Sequence, residues 1–330
     1  MNILITGIHG FVGNNLVVAL RQKHTIYGMD IVSHTKEGIV KTFSWNELDI
    51  IPPVEVIIHL AGKAHDTKNT TAAQDYFDIN VGLTKQIFDY FLQSNATKFI
   101  FFSSVKAVAD SVQCEYLTEE MLPNPLTAYG KSKLEAERFL RKRLNDYTRE
   151  REDERARKGE VVKGREAEGE KRVYILRPCM IHGPGNKGNL NLLYKIVSKG
   201  IPWPLGAFDN NRSFCSIDNL SFVIQNLIES DIETGIYQVS DDESLSTNAL
   251  ITLIAESLHS KPSILKLNKS FISAIAKTGN VFHLPLNSER LRKLTKSYVV
   301  SNNKLKAALD IDKIPVSAKD GMRRTLDSFK

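Results

Sequence analysis

The chain has 330 residues, 42% of them hydrophobic and 25% charged, with a formal net charge of +6 at pH 7. That balance suits one large buried core or two modest ones and excludes a disordered, fibrous or disulfide-stapled chain. Three cysteines, Cys114, Cys179 and Cys215, lie far apart without ligand or redox spacing, so reduced thiols and no metal site are expected.

No basic segment precedes an apolar run at the N-terminus, and no stretch approaches the roughly 18–20 apolar residues of a membrane span. A cytoplasmic protein with no membrane partner is expected. The basic residues are read as dispersed and interleaved with acids, which argues against nucleic acid as a partner, while a mildly basic balance suits an anionic diphosphate ligand.

In chain order, the apolar runs Ile3–Ile5, Thr25–Tyr27, Val54–Ile58, Lys98–Phe102 and Val173–Leu176 read as strands. Between them, Phe11–Gln22, Ala73–Ser94 and Thr127–Tyr147 repeat apolar residues at three and four, which predicts helices. Strands alternating with helices predict an α/β chain: a Rossmann-type, doubly wound parallel sheet over residues 1–177. Past Arg177, Pro178, Pro184, Pro202 and Pro204 break the pattern, so 178–330 reads as mainly a smaller C-terminal substrate-binding domain. Residues 235–241 begin with the strand pattern Gly235–Val239 and are expected to return to the main sheet. Of the 24 residues from Arg149 to Arg172, 17 are charged, so this insertion reads as a solvated helical extension followed by a loop.

The segment from Thr6 to Gly13 links the first strand to the first helix and places glycines at Gly7, Gly10 and Gly13. Glycine permits the tight turn and lets backbone approach a pyrophosphate, which then rests on the helix N-terminus. Asp30 follows the second strand, 17 residues after Gly13, at about the ~20-residue separation of a ribose-binding acid. Its charge accepts from a 2′-hydroxyl and repels a 2′-phosphate, favouring NAD over NADP; His34 and Lys36 nearby soften that preference.

Tyr129 and Lys133, four apart at a helix start, project from one face. An ammonium beside a phenol, together with the positive nicotinamide ring, stabilises phenolate, so a lowered tyrosine pKa is expected. Ser104, 25 residues before Tyr129 at the end of the Lys98–Phe102 strand, is the third candidate, with Ser103 as the fallback and Lys106 as a rim cation.

Thr6–Gly13, Asp30, Asp49-Ile50, His59–Gly62, Asn80-Val81, Ser103-Ser104, Tyr129–Lys133 and Arg177 through Gly185 together resemble the extended short-chain dehydrogenase/reductase family, over nearly the whole chain. The likeness is nearest to its NAD-dependent epimerase/dehydratase branch, the UDP-glucose 4-epimerase-like and UDP-4-keto-sugar reductase-like enzymes of surface-polysaccharide pathways. The resemblance implies Ser104, Tyr129 and Lys133 as catalytic residues. It also implies an NAD site made by Gly7, His9, Gly10, Phe11, Val12, Gly13 and Asp30. Asp49 and Ile50 would line the adenine, Leu60, Ala61 and Gly62 would pass along the cofactor, and Asn80, Tyr129 and Lys133 would complete the site. Ser104, Asn189, Arg212 and Arg290 would contact a nucleotide-sugar, UDP-linked, and Arg292 is an alternative to Arg290. The helices at Ala73–Ser94 and Thr127–Tyr147 are candidates for a homodimeric four-helix contact, as in relatives. Epimerase, reductase and, more remotely, a non-catalytic dinucleotide sensor all remain open, as does the identity of the sugar. A dehydratase is disfavoured, because Val105 and Lys106 stand where it would need an acid-base carboxylate pair.

Overall fold

A computed structural model describes every residue except 35, 64–71, 113, 159–169, 187 and 283–286, and every side chain in its helices and strands except those of Asn189, Val281 and Lys293. The elements run β1 (Asn2–Thr6), α1 (Phe11–Leu20), β2 (Thr25–Met29), β3 (Thr42–Phe43), β4 (Val56–His59), α2 (Ala73–Asn80), α3 (Gly82–Gln93), β5 (Lys98–Phe102) and α4 (Ala128–Arg157). They continue as β6 (Arg172–Pro178), β7 (Met180–His182), α5 (Asn189–Ser198), β8 (Arg212–Ser216), α6 (Ile217–Glu229), β9 (Gly235–Val239), β10 (Ser244–Leu245), α7 (Thr247–Ser257), α8 (Lys269–Phe282), α9 (Ser288–Thr295), α10 (Asn303–Leu309) and α11 (Ala318–Asp327).

The chain divides into two compact units. The first comprises Met1–Asp110, Glu119–Pro178 and Val223–Gln238. Its strands lie in the order β3-β2-β1-β4-β5-β6-β9, with parallel pairing from β3 through β6. Because helices cover such a sheet, its strands read as continuous apolar runs, and all five residues of β5 are buried. Phe88 and Phe91 of α3 and Ala136 and Leu140 of α4 join Leu4, Ile57, Phe99 and Ile175 of the sheet in one core.

One predicted helix is divided in two, and another runs on into the helical extension expected of the charged insertion. The pattern over Ala73–Ser94 forms α2 and α3, separated at Val81 rather than running as one helix. Helix α4 continues ten residues past Tyr147, the last apolar anchor against the core, into the charged insertion as far as Arg157. The loop expected further along that insertion, 159–169, lies outside the described residues.

The second unit comprises Ser111–Thr118, Cys179–Phe222 and Val239–Lys330. Here β7 pairs in parallel and β10 antiparallel with the central β8. Leu190, Phe214, Leu250, Ile254 and Met322 fill one core, and Trp203, Leu205, Ile251, Ile272 and Leu291 fill a second. Leu117 takes part through its backbone, donating to Val299 O at 2.8 Å and accepting from Ser301 N at 2.9 Å. A boundary after Arg177 with a return at 235–241 leaves out this segment and the α6 residues from Val223 onward, whereas β9 lies in the seven-stranded sheet. Burial pushes the thiols of Cys179 and Cys215 well above their ordinary range, and neither forms a disulfide. Among the described residues no helix is long and apolar enough to cross a membrane, and no cluster of three or more metal-ligand side chains occurs.

Candidate active site

The glycine loop sits in the first unit, at the carboxyl end of β1. Gly7 adopts φ +68°, a left-handed conformation, and a Cβ there would fall 2.8 Å from Ala61 N. A Cβ on Gly13 would fall 2.5 Å from Ile8 O, so only glycine lets the first turn of α1 close onto the loop. Gly10 caps α1 without a side-chain hydrogen bond, and the first turn carries no acid. The N–H groups of that turn, at Phe11 and Val12, therefore belong to a helix end that favours an anion. A cradle that side chains would fill, joined to a helix N-terminus without a side-chain cap, fits the pyrophosphate of a dinucleotide.

Asp30 stands at the adjoining strand end, where β2 finishes. Its Oδ2 accepts from His9 N at 3.0 Å and its Oδ1 from Ile31 N at 2.8 Å. This fixes a carboxylate beside the loop, where it can accept from a ribose hydroxyl. The rings of His9 and His34 stack at 3.8 Å, and burial, then the neighbouring His34, push His9 below its ordinary range. A neutral His9 adds no charge to attract a 2′-phosphate, and the Lys36 ammonium is engaged by Asn14 Oδ1. Asp30→Ala should weaken NAD binding by about tenfold or more and reduce the preference over NADP. Titration with both cofactors measures this, and unchanged affinities for both would remove Asp30 from the site.

Asp49 and Ile50 lie on an exposed 3-10 turn, Leu48–Ile50, beyond β3. Leu60, Ala61 and Gly62 follow β4, with Leu60 N donating to Thr6 O at 3.2 Å and Ala61 N to Thr6 Oγ1 at 3.1 Å. A Cβ on Gly62 would fall 2.7 Å from Asn80 Oδ1 and 3.2 Å from Lys133 Nζ. Asn80 is fully buried: its Oδ1 accepts from Lys63 N at 2.7 Å and its Nδ2 donates to Ser132 Oγ at 2.9 Å. It ties the strand-end loop to the helix that carries the tyrosine and lysine.

Asp110 and Thr127 organise the start of α4. The Asp110 carboxylate accepts from Leu126 N at 2.7 Å, and Thr127 Oγ1 caps the helix by accepting from Gly130 N at 3.2 Å. A Cβ on Gly130 would lie 2.4 Å from Lys106 O, so this glycine lets the first turn approach the short 3-10 turn Val105–Ala107. Ser104 caps that turn, its Oγ accepting from Lys106 N at 3.2 Å, and it also hydrogen-bonds the Tyr129 phenol. Ser103 faces elsewhere and donates to Glu137 Oε1. Lys106 Nζ donates to Asp110 O at 3.1 Å, a cap rather than part of the pair.

Lys133 Nζ is buried, donates to Phe102 O at 2.8 Å and lies 5.1 Å over the Phe101 ring. The expected lowering of the Tyr129 pKa counted on a bound nicotinamide ring as well as Lys133. In the chain alone, burial pushes the phenol above its ordinary value, the Ser104 hydrogen bond opposes this, and Tyr76, 6.2 Å away ring to ring, adds to it. The expected lowering presumes an ammonium fully charged beside the phenol, yet burial pushes Lys133 itself down to about 8, opposed by Glu137.

That lysine gives stability a pH signature. Between about pH 8 and 10 the folded chain has released a proton that an unfolded lysine, with its ordinary value of 10.5, still holds. Stability should therefore rise with pH across this window, with help from Lys171, which is also pushed down to about 8. Above it the slope reverses, because burial raises Tyr129 and pushes Tyr174 to about 12. Urea unfolding at both ends of the window should show the rise in the wild type and a smaller one in Lys133→Met; equal slopes would contradict the buried ammonium.

Glu137 is the site residue that sequence reasoning missed. Its carboxylate accepts from Arg177 Nη2 at 2.6 Å and Nε at 2.9 Å, a fork-to-fork pair with both side chains almost fully buried. The signal was available: Tyr129, Lys133 and Glu137 are spaced by four and share a helix face.

The remaining candidates belong to the second unit. Arg212 lies on β8, partly exposed; burial lowers its pKa, while Tyr298 and then Cys179 oppose that. Arg290 and Arg292 are exposed on α9. Asn189 is the first residue of α5, and its side chain lies outside the described residues.

A parallel sheet with a glycine cradle at one strand end and a carboxylate at the next defines a dinucleotide-dependent α/β enzyme. Residues 3–239 match the family model described as "NAD dependent epimerase/dehydratase family". A UDP-glucose 4-epimerase of Vibrio cholerae is 31% identical over 78% of this chain and 76% of its own length. An N-acetyl-alpha-D-glucosaminyl-diphospho-ditrans,octacis-undecaprenol 4-epimerase of Escherichia coli O157:H7 is 26% identical over 79% and 73%. A solved UDP-glucuronic acid 4-epimerase of Bacillus cereus in complex with NAD superposes with TM-score 0.71 at 18% identity, covering 99% of this chain and 98% of that one, which shows the shared fold. The chain belongs to the NAD-dependent epimerase/dehydratase family, with NAD as its cofactor. The extended short-chain dehydrogenase/reductase resemblance and the Rossmann-type fold read from the motifs are borne out.

Proposed function

We propose that the chain interconverts a UDP-hexose or UDP-N-acetylhexosamine with its C4 epimer, in the supply of sugars for a surface polysaccharide. The observation that carries this reading is the contact between the Tyr129 phenol and the Ser104 hydroxyl at the β5 end, within the cofactor-binding unit. The choice of C4 and of a diphosphate-linked sugar leans on the two relatives, whose names share a sugar carried on a diphosphate.

When bound, NAD supplies the acceptor and then the donor of the C4 hydride. Tyr129 takes the proton of the sugar hydroxyl and later returns it. Ser104 donates to the same sugar oxygen and orients it, while the Lys133 ammonium favours the phenolate form. Phe102 O holds the Lys133 ammonium, and the missing side chain of Gly62 leaves room for it. For the diphosphate we propose Arg212, whose planar donors suit phosphate and whose burial cost an anion would offset, together with Arg290 and Asn189.

Two measurements on the purified protein test this against a one-way 4-keto reductase that uses the same residues. Heat-denatured protein should release close to stoichiometric NAD, and UDP-glucose or UDP-N-acetylglucosamine should yield its C4 epimer without added reductant. An empty site, with NADH consumed only when a UDP-4-keto-6-deoxy-sugar is added, would overturn the epimerase reading.

A further inference from the structure

The whole-chain charge hides a strong asymmetry. Between Ser257 and Leu309 there are ten lysines and arginines and one acid, Glu289, so the rest of the chain is net acidic. The basic residues are therefore not evenly interleaved with acids, contrary to the sequence reading.

Helix α8, Lys269–Phe282, lies in the middle of this basic stretch. One side of it is accounted for: Ile272 and Ala276 pack with Trp203, Leu205 and Ile251 in a core of the second unit. Another side is not. Phe271, Ile275, Thr278 and Phe282, spaced by four, three and four, share a different stripe of the helix. Phe271 is 59% exposed and Phe282 70%, and Leu265 and Leu267 on the preceding segment are exposed as well. Among the described residues these large side chains stay exposed along one stripe, and such a patch marks an interaction surface.

We propose that the exposed stripe of α8, with the lysines around it, docks on the surface of an anionic phospholipid bilayer. The partner follows from the charge. An acidic protein groove would satisfy the lysines but needs a matching apolar slot, whereas a bilayer interface accepts phenyl rings among its acyl chains and presents phosphates to lysines at the rim. Lys266 and Lys277 are exposed on the same segment as Leu265, Phe271, Ile275 and Phe282, an arrangement that sets ammonium groups at headgroup level while the rings enter, whereas Lys269 lies over the Phe208 ring on the core side. That no helix among the described residues is long and apolar enough to cross a bilayer is compatible with this, since α8 would lie in the interface rather than cross it. The expectation of no membrane partner, drawn from the lack of a long apolar stretch in the sequence, does not extend to surface attachment.

The test is flotation of the intact, NAD-loaded protein with vesicles of equal parts phosphatidylcholine and phosphatidylglycerol, beside vesicles of phosphatidylcholine alone. Binding is expected on the anionic vesicles only, with loss at high salt. The double variant Phe271→Ser, Phe282→Ser should lower the partition on the order of tenfold or more. If that variant fails to fold, Phe271→Trp provides the readout, with a blue shift of its added fluorescence when anionic vesicles are present. No binding, equal binding to neutral vesicles, or undiminished binding by the folded double variant would each overturn the proposal. So would a wild-type dimer that the double variant abolishes, without vesicle binding, because the stripe would then join two copies of the chain. None of these readouts depends on sugar turnover, so failure here and failure of the proposed reaction are distinguishable.

Discussion

Tyr129→Phe should lower sugar turnover by roughly 10²–10⁴-fold while the protein still folds and binds NAD. The substitution keeps a ring that packs 6.2 Å from Tyr76 and removes only the oxygen that meets Ser104. Ser104→Ala should cost less, since one orienting hydrogen bond is lost while the proton-transfer group remains. Lys133→Met should lose rate and also weaken NAD, because its Nζ lies where a Cβ on Gly62 would come within 3.2 Å, at the strand end assigned to the cofactor. The pH profile separates chemistry from packing. In the chain alone burial raises the phenol, so the wild-type rate should follow a group whose titration shifts downward once cofactor is bound, and that limb should vanish in Tyr129→Phe. Turnover near the wild-type level in this variant would remove Tyr129 from the reaction.

The largest stability loss is expected at Glu137. Glu137→Ala leaves the Arg177 guanidinium buried without its forked partner and takes away the acceptor of Ser103. Removing one member of a buried pair costs about 3–5 kcal/mol, more than the pair itself contributes over an apolar replacement. Chemical denaturation should therefore show a loss of that size for Glu137→Ala, with partial recovery in the double variant Glu137→Leu, Arg177→Met, which removes both charges. A loss below about 1 kcal/mol for Glu137→Ala would mean that Arg177 finds water or another acceptor.

What the sequence made legible was local. Thr6–Gly13 joins a strand to a helix through glycines, and the need for one at Gly13 comes from neighbours within the loop, Ile8 O and Gly7 O. Asp30 could be placed because β2 ends one residue before it. Ser104 was preferred to Ser103 on spacing alone, and the hydrogen bonds of the two serines give that preference a geometric reason.

What stayed hidden depends on residues distant in the chain. The break at Val81 is marked in the pattern by Gly82 alone, a weak signal inside a helical repeat, and Ser111–Thr118 belongs to the second unit, where Leu117 bridges Val300 across a long stretch of chain. The direction of the Tyr129 shift is set by how deeply the ring is buried, which residue spacing does not report. The basic stretch around α8 escaped notice because acids elsewhere in the chain balance it, so net charge alone carries no sign of it.

The measurement that tests the central claim most directly follows the hydrogen at C4. UDP-glucose and UDP-N-acetylglucosamine, each deuterated at C4, are given to the NAD-loaded protein in ordinary water, and product is analysed by mass and by proton resonance. For whichever sugar is the substrate, the account predicts a C4 epimer that keeps its deuterium, because hydride leaves and returns within one site while only the hydroxyl proton passes through Tyr129. An epimer that has lost the deuterium to solvent, or the absence of any epimer from either sugar, would contradict it.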